Sequence, residues 1–197
     1  MPAARSRQHE SRCVELVGVA RELLVEGGLD AFAMRAVAAR ADMKLGNLQY
    51  YFAARDDLLE AVIRTDFAQD LAAFQDASAA VAGPASLKRL ARRLVANWSS
   101  SNGIAFVTLS TLAYHNDRFR SLNREIYESF YDELRSMIRR LDEDAPGPEV
   151  ALRARLMTSV LDGVALQIHA GAGGGKAADT KLIDRAADLL ISIATGP

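Results

Sequence analysis

From Asp117 to Leu141 the apolar residues Phe119, Leu122, Ile126, Phe130, Leu134, Met137 and Leu141 recur every three or four positions. That period is one stripe of an α-helix and is incompatible with the alternating face of a strand. The same spacing runs through the rest of the 197 residues, and no convincing alternating segment interrupts it, so the chain reads as all-α. About nine helices fit between the breaks.

The first helix is expected near Glu10 to Glu26 with Val14, Val17, Leu23 and Leu24 inward, ended by a left-handed turn at Gly27-Gly28. Two short helices follow, Met34 to Arg40 and Leu45 to Phe52, and a long one opens at Asp56-Asp57, whose carboxylates favour a helix N-terminus, and runs towards Gly83-Pro84. Ser86 is expected to cap a helix ending near Ser101, Asn102-Gly103 to break it, and Ile104 to Tyr114 to form a shorter apolar helix. After Asp117 to Leu141, Pro146-Gly147-Pro148 is a stop, and the last two helices, Glu149 to His169 and Asp179 to Ala194, are parted by the glycine run Gly171 to Gly175. No internal repeat or long linker appears.

Composition narrows the function classes. One cysteine, Cys13, cannot make an internal disulfide or a cysteine zinc site, and His9, His115 and His169 are too scattered for a metal cluster, so no metal and no cofactor are expected. No run of about 18 apolar residues and no secretory leader is present, which predicts no membrane partner and a cytoplasmic location. Net charge is −1, but it is unevenly spread: residues 1–55 carry eight Lys/Arg against six Asp/Glu, and the remainder 16 against 19. A basic head on an acidic body is consistent with a nucleic-acid partner without proving one.

The densest chemistry lies from Met34 to Leu59, where a short helix, a tight turn and a second short helix lead directly into a third. This is the layout of a helix-turn-helix DNA reader. Leu48 and Phe52, four apart, should anchor the second short helix against Val37 and Ala38, leaving Asn47, Gln49 and Tyr50 outward, with Gly46 permitting close backbone approach. Asn and Gln side chains pair with adenine edges in the major groove, so Asn47 and Gln49 are the candidate base readers. Arg5, Arg7 and Arg12 are candidates for a phosphate or a minor groove.

Over about residues 10 to 60 the head resembles the TetR family of bacterial regulators, through Ala20, Leu24, Glu26-Gly27-Gly28, Met34, Val37-Ala38, Ala41, Gly46-Asn47-Leu48, Tyr50-Tyr51-Phe52, Asp56 and Leu58-Leu59. In the body the resemblance rests on helix count and on Leu161-Asp162-Gly163-Val164-Ala165-Leu166-Gln167, similar to a core-facing run of the family's penultimate helix. The resemblance implies phosphate contacts from Tyr51 and Arg55, with Lys44 and Arg35 beside them. It implies a DNA-binding domain over residues 1–55 and a ligand-binding and dimerisation domain over 56–197. Three positions depart from the family pattern: Ala33 replaces a capping threonine, Asp42 a turn glycine and Lys44 a capping Ser/Thr. A lost cap costs about 1 kcal/mol, and Asp tolerates the left-handed turn better than most residues.

By the same resemblance the body should dimerise and receive a signal. The last two helices are suited to a homodimer, the final one through an apolar stripe of Leu182, Ile183, Ala186, Leu189, Leu190 and Ile193, and the two heads of the dimer would read a palindromic DNA operator. Trp98, Phe106, Tyr114, His115, Tyr127, Phe130, Tyr131 and Gln167 are the candidate ligand residues, and their aromatic character suggests a small apolar or aromatic effector. The expected function is therefore a homodimeric repressor released from its operator by that effector. An enzyme is not expected: Gly171 to Lys176 fails the phosphate-loop pattern, because Ala170 takes a required glycine position and Ala177 the Ser/Thr position, with no preceding strand. The competing class is a helical protein-interaction module that does not use its DNA-binding head.

Overall fold

The structure, a computed structural model, describes residues 2–81, 83–98, 103–172 and 174–196, with only the backbone of residues 2–6 and 84. Expectations placed on Ser101, Asn102, Gly173 and the Arg5 side chain lie outside the described residues. Among the described residues there are nine helices and no strand: α1 Pro2–Ala31, α2 Met34–Arg40, α3 Leu45–Tyr51, α4 Arg55–Ala79, α5 Pro84–Trp98, α6 Ile104–Ala113, α7 Asp117–Leu141, α8 Gly147–His169 and α9 Lys176–Thr195. No helix among them is long and apolar enough to cross a membrane. The chain forms two compact units, Met1–Phe67 with Ile104–Leu109, and Ala68–Gly103 with Ser110–Pro197. The division falls within α4.

In the first unit Leu16, Ala20, Leu24, Val37, Leu48, Leu58, Leu59, Val62 and Ile63 are fully buried, with Phe32 closing the corner between α1 and α2. α1 kinks at its glycines, where Gly28 takes φ 64°, a backbone state that favours a residue without Cβ. Val14 does not face inward as expected; it is 72% exposed. At ~100° per residue it lies about 120° from the centre of the face set by Leu16, Val17, Ala20, Leu23 and Leu24. α4 is capped by its own first turn, the Asp57 carboxylate accepting from the Ala54 backbone N–H at 2.9 Å.

The second unit is built on α7 and α8, which contribute Phe119, Leu122, Leu134, Met137, Ile138, Val150, Ala154, Met157 and Leu161 to the core, with α5 and α9 packed alongside. Asn116 caps α7, its Oδ1 accepting from Arg118 N at 3.0 Å. α5 is tied to α9 by Lys88 with Asp188 and by Arg92 Nε with Asp184 at 2.6 Å. Arg153, almost entirely buried, bridges Asp142 at the end of α7 and Glu149 in the first turn of α8.

Several element ends differ from expectation. Ser86 is not an N-cap: α5 begins two residues earlier, and the Ser86 hydroxyl turns back to Gly83, donating to its carbonyl and accepting from its N–H. α7 ends at Leu141 as expected, with Asp142 as its C-cap, but α8 begins at Gly147 and not at Glu149, with Pro146 as its N-cap and Pro148 in its first turn, where a missing N–H costs nothing.

A buried ion pair joins α1 to α4. Arg21 Nε donates to both oxygens of Asp66 at 2.7 and 2.9 Å, and Asp66 is 5% exposed. Burial raises the Asp66 carboxyl above its ordinary range despite the guanidinium, which works the other way. Removing the cation alone leaves a buried carboxylate uncompensated, so Arg21→Met should cost roughly 2–3 kcal/mol in urea unfolding, less than for a fully buried pair because Arg21 reaches solvent. The double variant Arg21→Met/Asp66→Leu should recover most of that loss; equal losses in both would refute the account.

Candidate nucleic-acid interface and effector region

Seven residues cannot hold a helix in water by themselves, and α3 has no side-chain cap at Lys44. Its backbone is started by Asn47 and Leu48 N–H donating to the Lys44 carbonyl, at 2.9 and 3.2 Å. The turn before it is made by Asp42 at φ 49°, with Met43 N–H donating to Ala38 O at 2.9 Å. Burial of Leu48 and Phe52 fixes the inner face of the α3 segment, while Gly46, Asn47, Gln49 and Tyr50 are exposed. Tyr50 is 75% exposed and Tyr51 half-buried. A Cβ on Gly46 would meet nothing within 4 Å, so no contact inside the protein requires glycine there.

Beside α3 lies an open cleft of ≈ 660 Å³ lined by Arg12, Asp42, Met43, Lys44, Asn47, Tyr50 and Tyr51. Two cations, two phenols and an amide on one concave surface match what a phosphate backbone and a base edge offer. Arg12 is held there by Glu15 and by the Ala41 carbonyl at 3.3 Å. Arg35 is exposed on α2, away from the cleft lining. Arg55, expected at a phosphate, has a part-exposed side chain that also makes contacts within the protein. Its Nε donates to Phe32 O at 2.8 Å and its Nη2 to Leu29 O at 3.0 Å, with the guanidinium 5.6 Å from the Phe32 ring centre. It braces the α1–α2 corner, a role that sequence alone does not signal. His9 packs on the tyrosines of α3, and Cys13 Sγ lies 3.7 Å from His9 Nδ1, with burial and Glu10 pushing the thiol pKa up.

In the second unit the expected ligand residues fall into separate places. Trp98 donates from Nε1 to Asp70 Oδ2 at 3.0 Å and meets Phe130 edge-on at 6.0 Å, and Phe130 stacks on Phe74. Tyr114 is 79% exposed beside exposed His115, and Gln167 is exposed on α8. Phe106 belongs to the first unit. Tyr127 and Tyr131, 5.7 Å apart, line a cleft of ≈ 440 Å³ with Arg120, Asn123, Arg124, Glu128, Thr158, Ser159 and Asp162. Tyr127 Oη donates to Asp162 Oδ2 at 2.6 Å. No cation pairs with Asp162 among the described ion pairs, and burial pushes its pKa up to about 6.

Residues 16–62 match the family model for bacterial regulatory proteins of the tetR family, and residues 104–192 match the model for the C-terminal part of BetI-type transcriptional repressors. The chain belongs to the TetR family. It is a DNA-binding, ligand-responsive transcriptional regulator. It is 28% identical over 193 residues to the HTH-type transcriptional regulator BetI of Burkholderia thailandensis, covering 95% of both chains. An uncharacterised HTH-type regulator of Xanthobacter autotrophicus is 35% identical over 91 residues, 45% of each chain. Among solved structures, a Rhodococcus regulator aligns with TM-score 0.76 at 19% identity over 92% of this chain and 95% of its own. A Saccharomonospora viridis regulator in complex with choline aligns with TM-score 0.75 at 14% identity, over 93% and 96%. These two establish the fold of this TetR-family chain.

The raised Asp162 pKa has a measurable effect on this regulator. Between the ordinary value of 3.8 and about 6 the folded state holds more protons than the unfolded one, so this group's contribution to stability falls as pH rises through that window. Asp162→Asn keeps an acceptor for Tyr127 and carries no charge. The variant should gain stability over the parent at pH 7.5 and lose that advantage at pH 4, read as urea midpoints at the two pH values; an advantage independent of pH would refute the cause.

Proposed function

We propose that residues 1–55 form the DNA-binding domain of a homodimeric repressor that reads a palindromic operator, and that residues 56–197 carry dimerisation and effector binding. The observation that carries this reading is the division of the α3 segment, with Leu48 and Phe52 buried and Gly46, Asn47, Gln49 and Tyr50 outward beside Lys44. Asn47 and Gln49 read bases, while Tyr50, Tyr51, Lys44 and Arg35 meet the backbone, with Arg12 added from α1. Arg55 acts by bracing the corner from which α2 and α3 are presented. The chain is a cytoplasmic regulator and not an enzyme.

Selection of bound duplexes from a random DNA pool by the ligand-free protein should enrich one two-fold-symmetric site. On that site Asn47→Ala or Gln49→Ala should change base preference, each good contact being worth about 1–3 kcal/mol of discrimination. Lys44→Ala should weaken all sequences alike and lower the salt slope by about one. Unchanged binding in all three variants would favour the interaction-module reading.

The dimer face is drawn from α8 and α9 together. Ala186 and Leu190 of the expected stripe are buried within the chain, whereas Leu189 remains exposed, as do Leu152, Leu156 and Leu166 on α8. An exposed apolar set of this kind needs a cover, and a second copy on a two-fold axis supplies one. Leu156→Arg should convert the protein to a folded monomer by sedimentation and weaken operator binding at least tenfold; a dimer that persists would move the interface elsewhere.

The effector reading shifts from an apolar molecule towards a small organic cation. The Asp162 carboxylate beside the Tyr127 and Tyr131 rings offers charge and aromatic faces together, the combination that holds organic ammonium groups. Choline, which the Saccharomonospora protein holds, is the natural first probe. A population shift towards a body state with lower DNA affinity would pass to the head through α4, one continuous helix shared by both units. Release of the selected duplex by choline, absent in Asp162→Asn, supports this; release by neutral aromatics alone restores the apolar effector.

A further inference from the structure

The N-terminal part of α1 extends past the start expected at Glu10, and His9 lies on this added turn. Its ring centre is 5.0 Å from that of Tyr51, tilted by 32°, and 5.9 Å from that of Tyr50, edge-on at 76°. The two tyrosines meet each other edge-on at 5.2 Å. Three rings from two helices therefore form one cluster at the end of α3. Offset and edge-to-face arrangements at these separations are attractive for aromatic rings beyond the area that they bury.

The location gives this cluster a task. The core fixes α3 only through its inner face, at Leu48 and Phe52. Its outer C-terminal turn carries Tyr50 and Tyr51, whose rings project towards the cleft that contains Lys44 and Asn47. No described hydrogen bond holds either phenol. Without a neighbour these rings would sample several rotamers, and ordering them on DNA would cost binding free energy. His9 is the one aromatic group of α1 against them.

We propose that His9 is a positioning residue for DNA recognition, holding the Tyr50–Tyr51 pair in its binding orientation before DNA arrives. It acts by ring packing and not by a charge on a phosphate. The same contact makes the first turns of α1 part of the recognition surface without placing them in a groove.

The test uses the full chain and a fluorescent duplex carrying the operator selected by the parent protein. His9→Ala should weaken binding about 3- to 10-fold, the range expected for loss of an aromatic pair. The salt slope should stay at the parent value, because no phosphate contact is lost. His9→Phe should restore affinity to within about twofold, because a neutral ring replaces a ring. In a Tyr50→Ala/Tyr51→Ala background, His9→Ala should add nothing, the signature of action through those residues. Parent-like binding by His9→Ala overturns the proposal. So does a His9→Phe variant as weak as His9→Ala with a shallower salt slope, which would mark a direct ionic contact. An undiminished His9→Ala loss in the double-alanine background does the same.

Discussion

Everything that this regulator does at DNA depends on a helix too short to exist alone. α3 has seven residues and no side-chain cap, so its conformation is imposed by burial of Leu48 and Phe52 and by the turn at Asp42. The polar outer face is thus a by-product of a well-anchored inner one. Around it the structure places rigid supports: the kink at Gly28, the Arg55 hydrogen bonds to the Leu29 and Phe32 carbonyls, and the Arg21–Asp66 pair between α1 and α4. None of these groups needs to touch DNA to matter for reading it.

Charge is used in two different ways in the two units. In the head, Arg12, Arg40 and Arg55 satisfy backbone carbonyls or carboxylates, while Lys44 is exposed in the cleft beside the recognition helix. In the body, ion pairs such as Arg92–Asp184 and Arg153–Asp142 stitch helix to helix. Asp162 is the exception, a largely desolvated carboxylate beside two phenols that takes part in none of the described ion pairs. A protein retains such a costly group where something else uses it, and that is why it anchors the effector reading.

Much of this was legible in the chain. α2 and α7 begin and end where their apolar spacing and flanking residues place them, and the split of the α3 segment into buried Leu48 and Phe52 and outward Asn47, Gln49 and Tyr50 follows from a four-residue step. The misses have a common cause. Val14, the Arg55 brace and the His9 stack depend on what the neighbouring helices bring, which periodicity within one helix does not encode. The eight proposed effector residues illustrate the same limit: an aromatic residue that packs a core and one that lines a cleft look alike in sequence, and here Phe130 does the first and Tyr131 the second. Helix ends near Ser86 and Pro146 slipped because residues that stop one helix can also open the next.

One feature of the head bears on how the protein can be watched at work. Cys13 is the only cysteine of the chain, and it sits against His9 beside the tyrosines of the recognition helix. A maleimide dye or spin label would therefore attach once per chain, next to the surface that engages DNA, with no engineering of the sequence. Because burial and Glu10 hold the thiol above its ordinary pKa, attachment will be slow near neutrality and faster in mildly alkaline buffer. The same property slows its spontaneous oxidation, so a preparation kept near neutral pH should retain the free thiol until a probe is added.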